Sequence, residues 1–184
     1  MSEDVVDLIM HDHRELERLF EELLSHPEQR AGLTPVMTTL LTAHSRAEES
    51  EVYPAAREAG AQDDVEHSQK EHLEADQLAK RVASTDPDDP AFAEVLRELV
   101  DAVKHHVEEE ESTVLPGIRE RMDAARRVEL GAAFLTAREQ HLGAQPADIT
   151  KAELEQQAAN AGVSGASSMS KDQLADTLEE QAES

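Results

Sequence analysis

A chain of 184 residues with 41 acidic against 17 basic side chains carries a formal charge of −24, which disfavours nucleic acid or an anionic membrane as an electrostatic partner. It has no cysteine, which excludes disulfides, zinc–thiolate sites, iron–sulfur clusters and cysteine nucleophiles together. With no Trp, one Tyr and three Phe, a core must be built from Leu, Val, Ala, Ile and Met, as in helix bundles.

The first residues, MSEDVVDLIMHDHREL, carry early charges and no apolar run, so they predict no signal peptide. No apolar stretch approaches membrane-spanning length, and a cytoplasmic protein is expected. Val5, Ile9, Leu16, Phe20 and Leu23 form a helical stripe that contains His13. Thr34 and Pro35 read as the N-cap and first turn of a second helix, with Met37, Leu40, Leu41, His44, Ala47, Glu48 and Glu51 on one face. A third stripe runs Val65, His72, Ala75, Ala79, Val82. Asp89-Pro90 opens a fourth with Phe92, Leu96, Leu99, Val103, His106 and Glu110. Gly32, Gly60 and the polar run 84–90 separate them. Short connections between four helices predict an all-α, up-down-up-down bundle over residues 1–143. A shorter fifth helix from about Asp123 to His141 is expected to pack on it through Val128, Leu130, Phe134 and Leu135.

Beyond a Gly-Ala-Gln-Pro linker, residues 146–184 carry two matched capping boxes, Thr150-x-x-Glu153 and Ser170-x-x-Gln173, and predict a small helix–connector–helix segment. It resembles the N-terminal domain of the termination factor Rho. Its acidic balance and lack of aromatics point to protein contact rather than nucleic acid. All candidate site residues precede residue 144, so the segment is expected to be dispensable for the site chemistry.

Two stretches carry that chemistry, HSRAEESEVYP (44–54) and HVEEEESTVLP (106–116), with every matching position 62 residues apart. A His and a Glu at i and i+4 lie about 40° apart on one helix face. Imidazole with carboxylate is a transition-metal ligand set, and two such pairs suggest two metals. Polar residues inside apolar stripes need partners, because burying them unpaired costs several kcal/mol. Here every bundle helix has one: His13, His44 with Glu48, His72, and His106 with Glu110. Asp12-His13 precedes the first pair and Glu71-His72 the second, so the first two helices look duplicated as the next two. A bundle with buried His–Glu salt bridges is the alternative reading of the same residues.

These motifs, with the Val52-Tyr53-Pro54 and Val114-Leu115-Pro116 endings, resemble the hemerythrin-like HHE cation-binding proteins over residues 1 to about 125. The resemblance implies a non-haem centre of two iron ions with an oxo or hydroxo bridge. Its ligands would be His13, His44, Glu48, His72, His106 and Glu110, with Glu48 and Glu110 as bridging carboxylates. The chain departs from the oxygen carriers of that family. They place a second His four residues along the third helix, where this chain has Ser68 and Asp76, and an Asp where it has Glu111. A missing imidazole leaves iron an open position, which favours reaction with peroxide, O2 or nitric oxide over oxygen carriage. A catalase-like activity is one form of that, and non-catalytic iron or oxygen binding or sensing is the runner-up. No Glu-x-x-His pair occurs, so the ferritin pattern is absent.

Glu51 faces the site by its spacing from His44 and Glu48 and is a second-tier candidate, weighed against a solvated glutamate. Tyr53, matched by Leu115 in the second repeat, is another, weighed against packing. His11, His67 and His105 fall off the stripes. His105 with Glu109 is an alternative to His106 with Glu110, but Leu99 and Val103 favour the His106 face.

Overall fold

The computed structural model describes residues 3–183 and is all-helical among them. Four long helices form the bundle: α1 (Val5–Ser25), α2 (Arg30–Ala47), α4 (Gln62–Ser84) and α5 (Phe92–Glu109). The short helices α3 (Tyr53–Glu58) and α6 (Leu115–Arg121) continue α2 and α5. Helix α7 (Ala124–His141) lies against α1 and α2, and α8 (Lys151–Asn160) and α9 (Lys171–Ala182) follow.

The two capping boxes read from sequence recur in the structure, beside two further caps. Asp4 and Asp123 cap α1 and α7 through their carboxylates, and Thr150 and Ser170 form complete capping boxes on α8 and α9. Helix α2 differs from the expectation. Pro27 starts a 3-10 turn (Pro27–Gln29) that runs directly into the helix at Arg30, so Gly32 and Pro35 lie inside it rather than before it. Helix α7, at 18 residues, is as long as α2 and α5. It packs closely on the start of α1, where a side chain at Gly131 would collide with the Glu3 carbonyl.

The two repeated motifs produce the same distortion. Pro54 and Pro116 have no N–H to return to the carbonyl four residues back, and their rings would clash with it. The chain widens by one residue before each proline, into π turns at Glu48–Val52 and Glu110–Val114. Tyr53 N–H then reaches the Glu48 carbonyl, and Leu115 N–H reaches that of Glu110. Each π turn begins on the inward glutamate of its motif.

The apolar core is split in two. One cluster gathers Val5, Val6, Ile9, Ala47, Val52, Tyr53, Leu115 and Phe134, and the other Leu16, Phe20, Leu41, Val82, Phe92, Leu99 and Val103. His13, His44, Glu48, His72, His106 and Glu110 form a polar layer between them, each 5 % exposed or less.

The chain does turn near residue 145, but α8 and α9 do not stand apart. Leu154, Ala158, Leu174 and Leu178 close a third apolar cluster on Leu73 of α4.

Candidate metal centre

Helices α1, α2, α4 and α5 each bring one imidazole to the polar layer, and the π turns that follow α2 and α5 each add a carboxylate. Glu48 Oε2 lies 3.2 Å from His44 Nε2 and 3.3 Å from His72 Nε2. Glu110 Oε2 lies 3.3 Å from His13 Nε2 and 3.8 Å from His106 Nε2. Each carboxylate therefore touches one imidazole from each half of the bundle. The rings of His13 and His44 sit 5.1 Å apart, and those of His72 and His106 4.6 Å apart. Two ligand groups result, His13–His44–Glu48 and His72–His106–Glu48, in each of which the ligand atoms lie within 4.8 Å of one another.

These contacts are not a finished hydrogen-bond network. Both oxygens of Glu48, both of Glu110 and Nε2 of His13 are buried with no hydrogen-bond partner. Such atoms cost about 1–3 kcal/mol each, more when charged. His72 Nε2 faces three polar atoms at once: Tyr53 Oη at 3.0 Å, His106 Nε2 at 3.0 Å and Glu48 Oε2 at 3.3 Å. One ring nitrogen has only a single proton or lone pair to offer them. Ligand atoms bound at about 2.0–2.2 Å around one metal sit roughly 2.9–3.5 Å from each other, which matches this spacing. The donor set and the orphaned atoms fit a metal at each position.

The outward nitrogens complete the pattern, and sequence reasoning missed it. His13 Nδ1 meets Glu111 at 2.9 Å, His106 Nδ1 meets Glu71 at 2.9 Å, His72 Nδ1 meets Glu49 at 3.3 Å, and His44 Nδ1 lies 3.5 Å from Asp12. A carboxylate on the far nitrogen fixes ring orientation and raises ligand basicity. The arrangement follows the repeat. The residue before His13 of α1 or His72 of α4 serves the next bundle helix, and the residue after each inward glutamate serves the opposite half. The doublets Asp12-His13, Glu71-His72, Glu48-Glu49 and Glu110-Glu111 were the available signal. Glu111 is thus tied to His13 and also to Arg14.

Two of the four supports, Asp12 and Glu49, are anchored in turn. Arg138 of α7 clamps Asp12 with contacts of 2.6 and 2.9 Å. Glu49 receives Arg46 at 3.0 Å, Gln69 at 2.9 Å and, from α8, Gln157 at 3.1 and 3.2 Å. Asn160 of α8 donates to the Glu49 carbonyl and to Gln69. The C-terminal segment expected to be dispensable is part of the support of His72. Asp76, one of the two positions set against a second histidine, pairs with Arg46 at 3.0 Å and not with the centre.

Of the second-tier candidates, Tyr53 is fully buried with its hydroxyl at His72. Glu51 turns to a surface recess beside Ala132, Thr136 and Gln140 of α7, away from the other candidates.

Burial alone would depress the His44 pKa, but Glu48 and Asp12 outweigh it and hold it at about 10. His72 is likewise held at about 10 against its burial, by Glu48 and Glu49. Burial would raise Glu49, yet Arg46, His72 and Gln69 bring it to about 2. Both imidazoles are therefore protonated in metal-free protein at neutral pH, and a metal must displace those protons. Loading at pH 7 is expected to release about two protons per chain, from His44 and His72, measurable by titration in unbuffered solution. No proton release on full loading would contradict the placement of the metals on these rings. In metal-free protein the raised histidines add stability that is fully present below pH 6.5 and lost as pH rises through about 10. The depressed Glu49 adds stability above pH 4.5 that is lost as pH falls toward about 2. Metal-free melting temperatures should therefore peak between those limits.

Residues 4–118, which hold all six residues of the polar layer, match the Hemerythrin HHE cation binding domain. The chain belongs to that family. A DNA nickase from Nostoc sp. is 30 % identical over 147 residues, which make up 77 % of this chain and 42 % of the nickase. The chain thus spans about two fifths of that curated relative's length. The crystal structure of a hemerythrin HHE cation binding domain-containing protein from Mycobacterium kansasii superimposes with a TM-score of 0.66 at 23 % identity, over 77 % of this chain and 88 % of that one. That likeness supports the hemerythrin fold. The family match ends within α6, so α7 with Arg138 and α8 with Gln157 lie beyond it. Among the described residues no helix is long and apolar enough to cross a membrane.

Proposed function

We propose that this hemerythrin domain holds a non-haem di-iron centre and reacts with a small oxidant, hydrogen peroxide, O2 or nitric oxide, in oxidative or nitrosative stress handling. The observation that carries the reading is the sharing of each buried carboxylate between imidazoles of opposite halves, with oxygens left unpartnered. His13 and His44 would hold one iron, His72 and His106 the other, and Glu48 and Glu110 would bridge them. Two imidazoles and two carboxylate oxygens per metal would leave coordination positions for a small ligand, and iron would give electrons to reduce it or accept them to oxidise it.

The chain's own residues set up the rest. Asp12, Glu49, Glu71 and Glu111 hold the four rings in register, and Arg138 and Arg46 hold two of those carboxylates. Tyr53 makes the two halves unequal, because its counterpart in the second repeat is Leu115. Burial, then the nearby carboxylates Glu110 and Glu48, push its pKa well above the usual phenol value, so its hydroxyl keeps its proton. It is placed to donate that proton in a hydrogen bond beside the His72 position.

Iron-loaded protein is expected to consume hydrogen peroxide, and zinc-loaded protein is not. Tyr53→Phe should keep its iron and lose roughly 100-fold in kcat, the typical effect of removing one positioned donor. Iron-loaded protein that changes colour with peroxide but does not turn over would favour the binding or sensing alternative. A folded protein with no metal affinity would leave only the buried salt bridges. The nickase's activity is not carried over, since a chain of −24 repels a phosphodiester backbone.

A further inference from the structure

A second His-x3-Glu pair lies one residue out of step with the buried one. His105 and Glu109 on α5 are offset by one from His106 and Glu110, and they face His67 and Glu71 on α4, which also stand at i and i+4. All four converge on the α4–α5 surface. His67 Nε2 lies 3.5 Å from Glu109 Oε2 and 3.6 Å from Glu71 Oε1, and His105 Nε2 lies 3.4 Å from that same oxygen. His67, Glu71 and Glu109 have ligand atoms within 4.8 Å of one another.

Three features separate this group from an ordinary charged surface. The contacts are too long for N–H···O hydrogen bonds, which fall at 2.7–3.2 Å. They match instead the roughly 3.3–3.6 Å between ligand atoms of a tetrahedral metal with bonds of about 2.0–2.2 Å. Glu71 is the deciding residue. Its side chain is 10 % exposed, and its Oε1, aimed into the group, is buried with no hydrogen-bond partner. Its Oε2 is already committed to His106 Nδ1 at 2.9 Å. His67, His105 and Glu109 are 58 %, 65 % and 42 % exposed, so a cation reaches the group from solvent without opening the bundle.

We propose that His67, Glu71 and Glu109, with His105 as the fourth ligand, form an outer site for one divalent transition-metal cation, zinc(II) or iron(II) in character. Two imidazoles and two carboxylates form a borderline ligand set that selects such ions over calcium or magnesium. The charge of −24 raises the local concentration of cations in general. Glu71 joins this site to the buried layer, because one of its oxygens takes the cation while the other holds the His106 ring. A cation on Oε1 draws electron density from Oε2 and weakens its hold on His106. Occupancy outside is thereby felt at the centre. The site stands on its own residues and does not depend on which metal the centre holds.

The test is cobalt(II) titration of the full chain as purified, counted by competition with a chromophoric chelator and read by visible absorption. Wild type is compared with His67→Ala, with His67→Ala/Glu109→Ala and with the exposed-histidine control His11→Ala. Wild type and the control should bind one more cobalt than the double variant, with tetrahedral cobalt absorption that the double variant lacks. His67→Ala alone should weaken that cobalt by roughly 100-fold. Both substitutions are on the surface, and unchanged far-UV dichroism confirms the fold. Equal cobalt counts and affinities in wild type and double variant would overturn the proposal. A vacant or zinc-filled centre shifts both counts together and leaves their difference intact, so failure of the di-iron reading is told apart.

Discussion

Glu48→Ala is expected to empty both metal positions and to destabilise the metal-free protein as well. Glu48 is fully buried and stands between His44 and His72, one from each half. Those two imidazoles keep their protons largely through it. Without the carboxylate they stay as uncompensated buried charges or lose their protons. Breaking a buried pair in this way costs about 3–5 kcal/mol. Denaturant unfolding of metal-free wild type and variant measures that loss, and metal analysis measures the other. Glu51→Ala is the matched control only three residues away. It faces the α7 recess, so its stability should stay within about 0.5 kcal/mol of wild type and its metal content should not change. If Glu48→Ala keeps a full metal complement, the shared-carboxylate arrangement is wrong.

Removing residues 145–184 is expected to damage the His72–His106 half while sparing the His13–His44 half. The cut strips Leu154, Ala158, Leu174 and Leu178 from Leu73. It also takes Gln157 and Asn160 from Glu49 and Gln69. Glu49 is the carboxylate on His72, and loss of such outer support costs about 10–100-fold in metal affinity. The narrower change Gln157→Leu keeps the apolar contacts and removes only the donor. It should cost about 1–3 kcal/mol of stability and shift the spectrum of the loaded centre. A truncated protein with the metal content and spectrum of the full chain would restore the view of the segment as dispensable.

The bundle was legible because its signals are local. Stripes at 3–4 residue spacing, capping boxes at Thr150 and Ser170, and each copy of the His-x3-Glu motif sit within about twenty residues of sequence. The six residues of the polar layer could be named for the same reason. What was not legible depends on contacts distant along the chain or on small changes of helical pitch. Arg138 reaches Asp12 across 126 residues, and Gln157 reaches Glu49 across 108. Nothing in the spacing of α7 or α8 marks those side chains. The π turns decide where Glu49, Glu51 and Glu111 point. A face drawn at 100° per residue through Glu48 puts Glu51 inward, and one extra residue per turn rotates it toward α7. Pro35 misled in the other direction, since a proline after a threonine reads as a helix start and Pro27 had already supplied one.

The polar layer also gives a stability expectation. Metal-free protein keeps buried carboxylate oxygens without partners, and the unfolded chain has no comparable site, so loading should raise the melting temperature. Equal melting temperatures with and without metal would contradict that coupling.

The central claim is two irons held by His13, His44, Glu48, His72, His106 and Glu110, and metal analysis joined to an electronic spectrum tests it most directly. Protein grown with iron should contain about two irons per chain and show near-ultraviolet absorption of a bridged ferric pair that changes on adding hydrogen peroxide. His44→Ala and His106→Ala should each lose both the iron pair and the absorption. Full iron in either variant, or a folded wild-type protein that takes up no iron, would contradict the account.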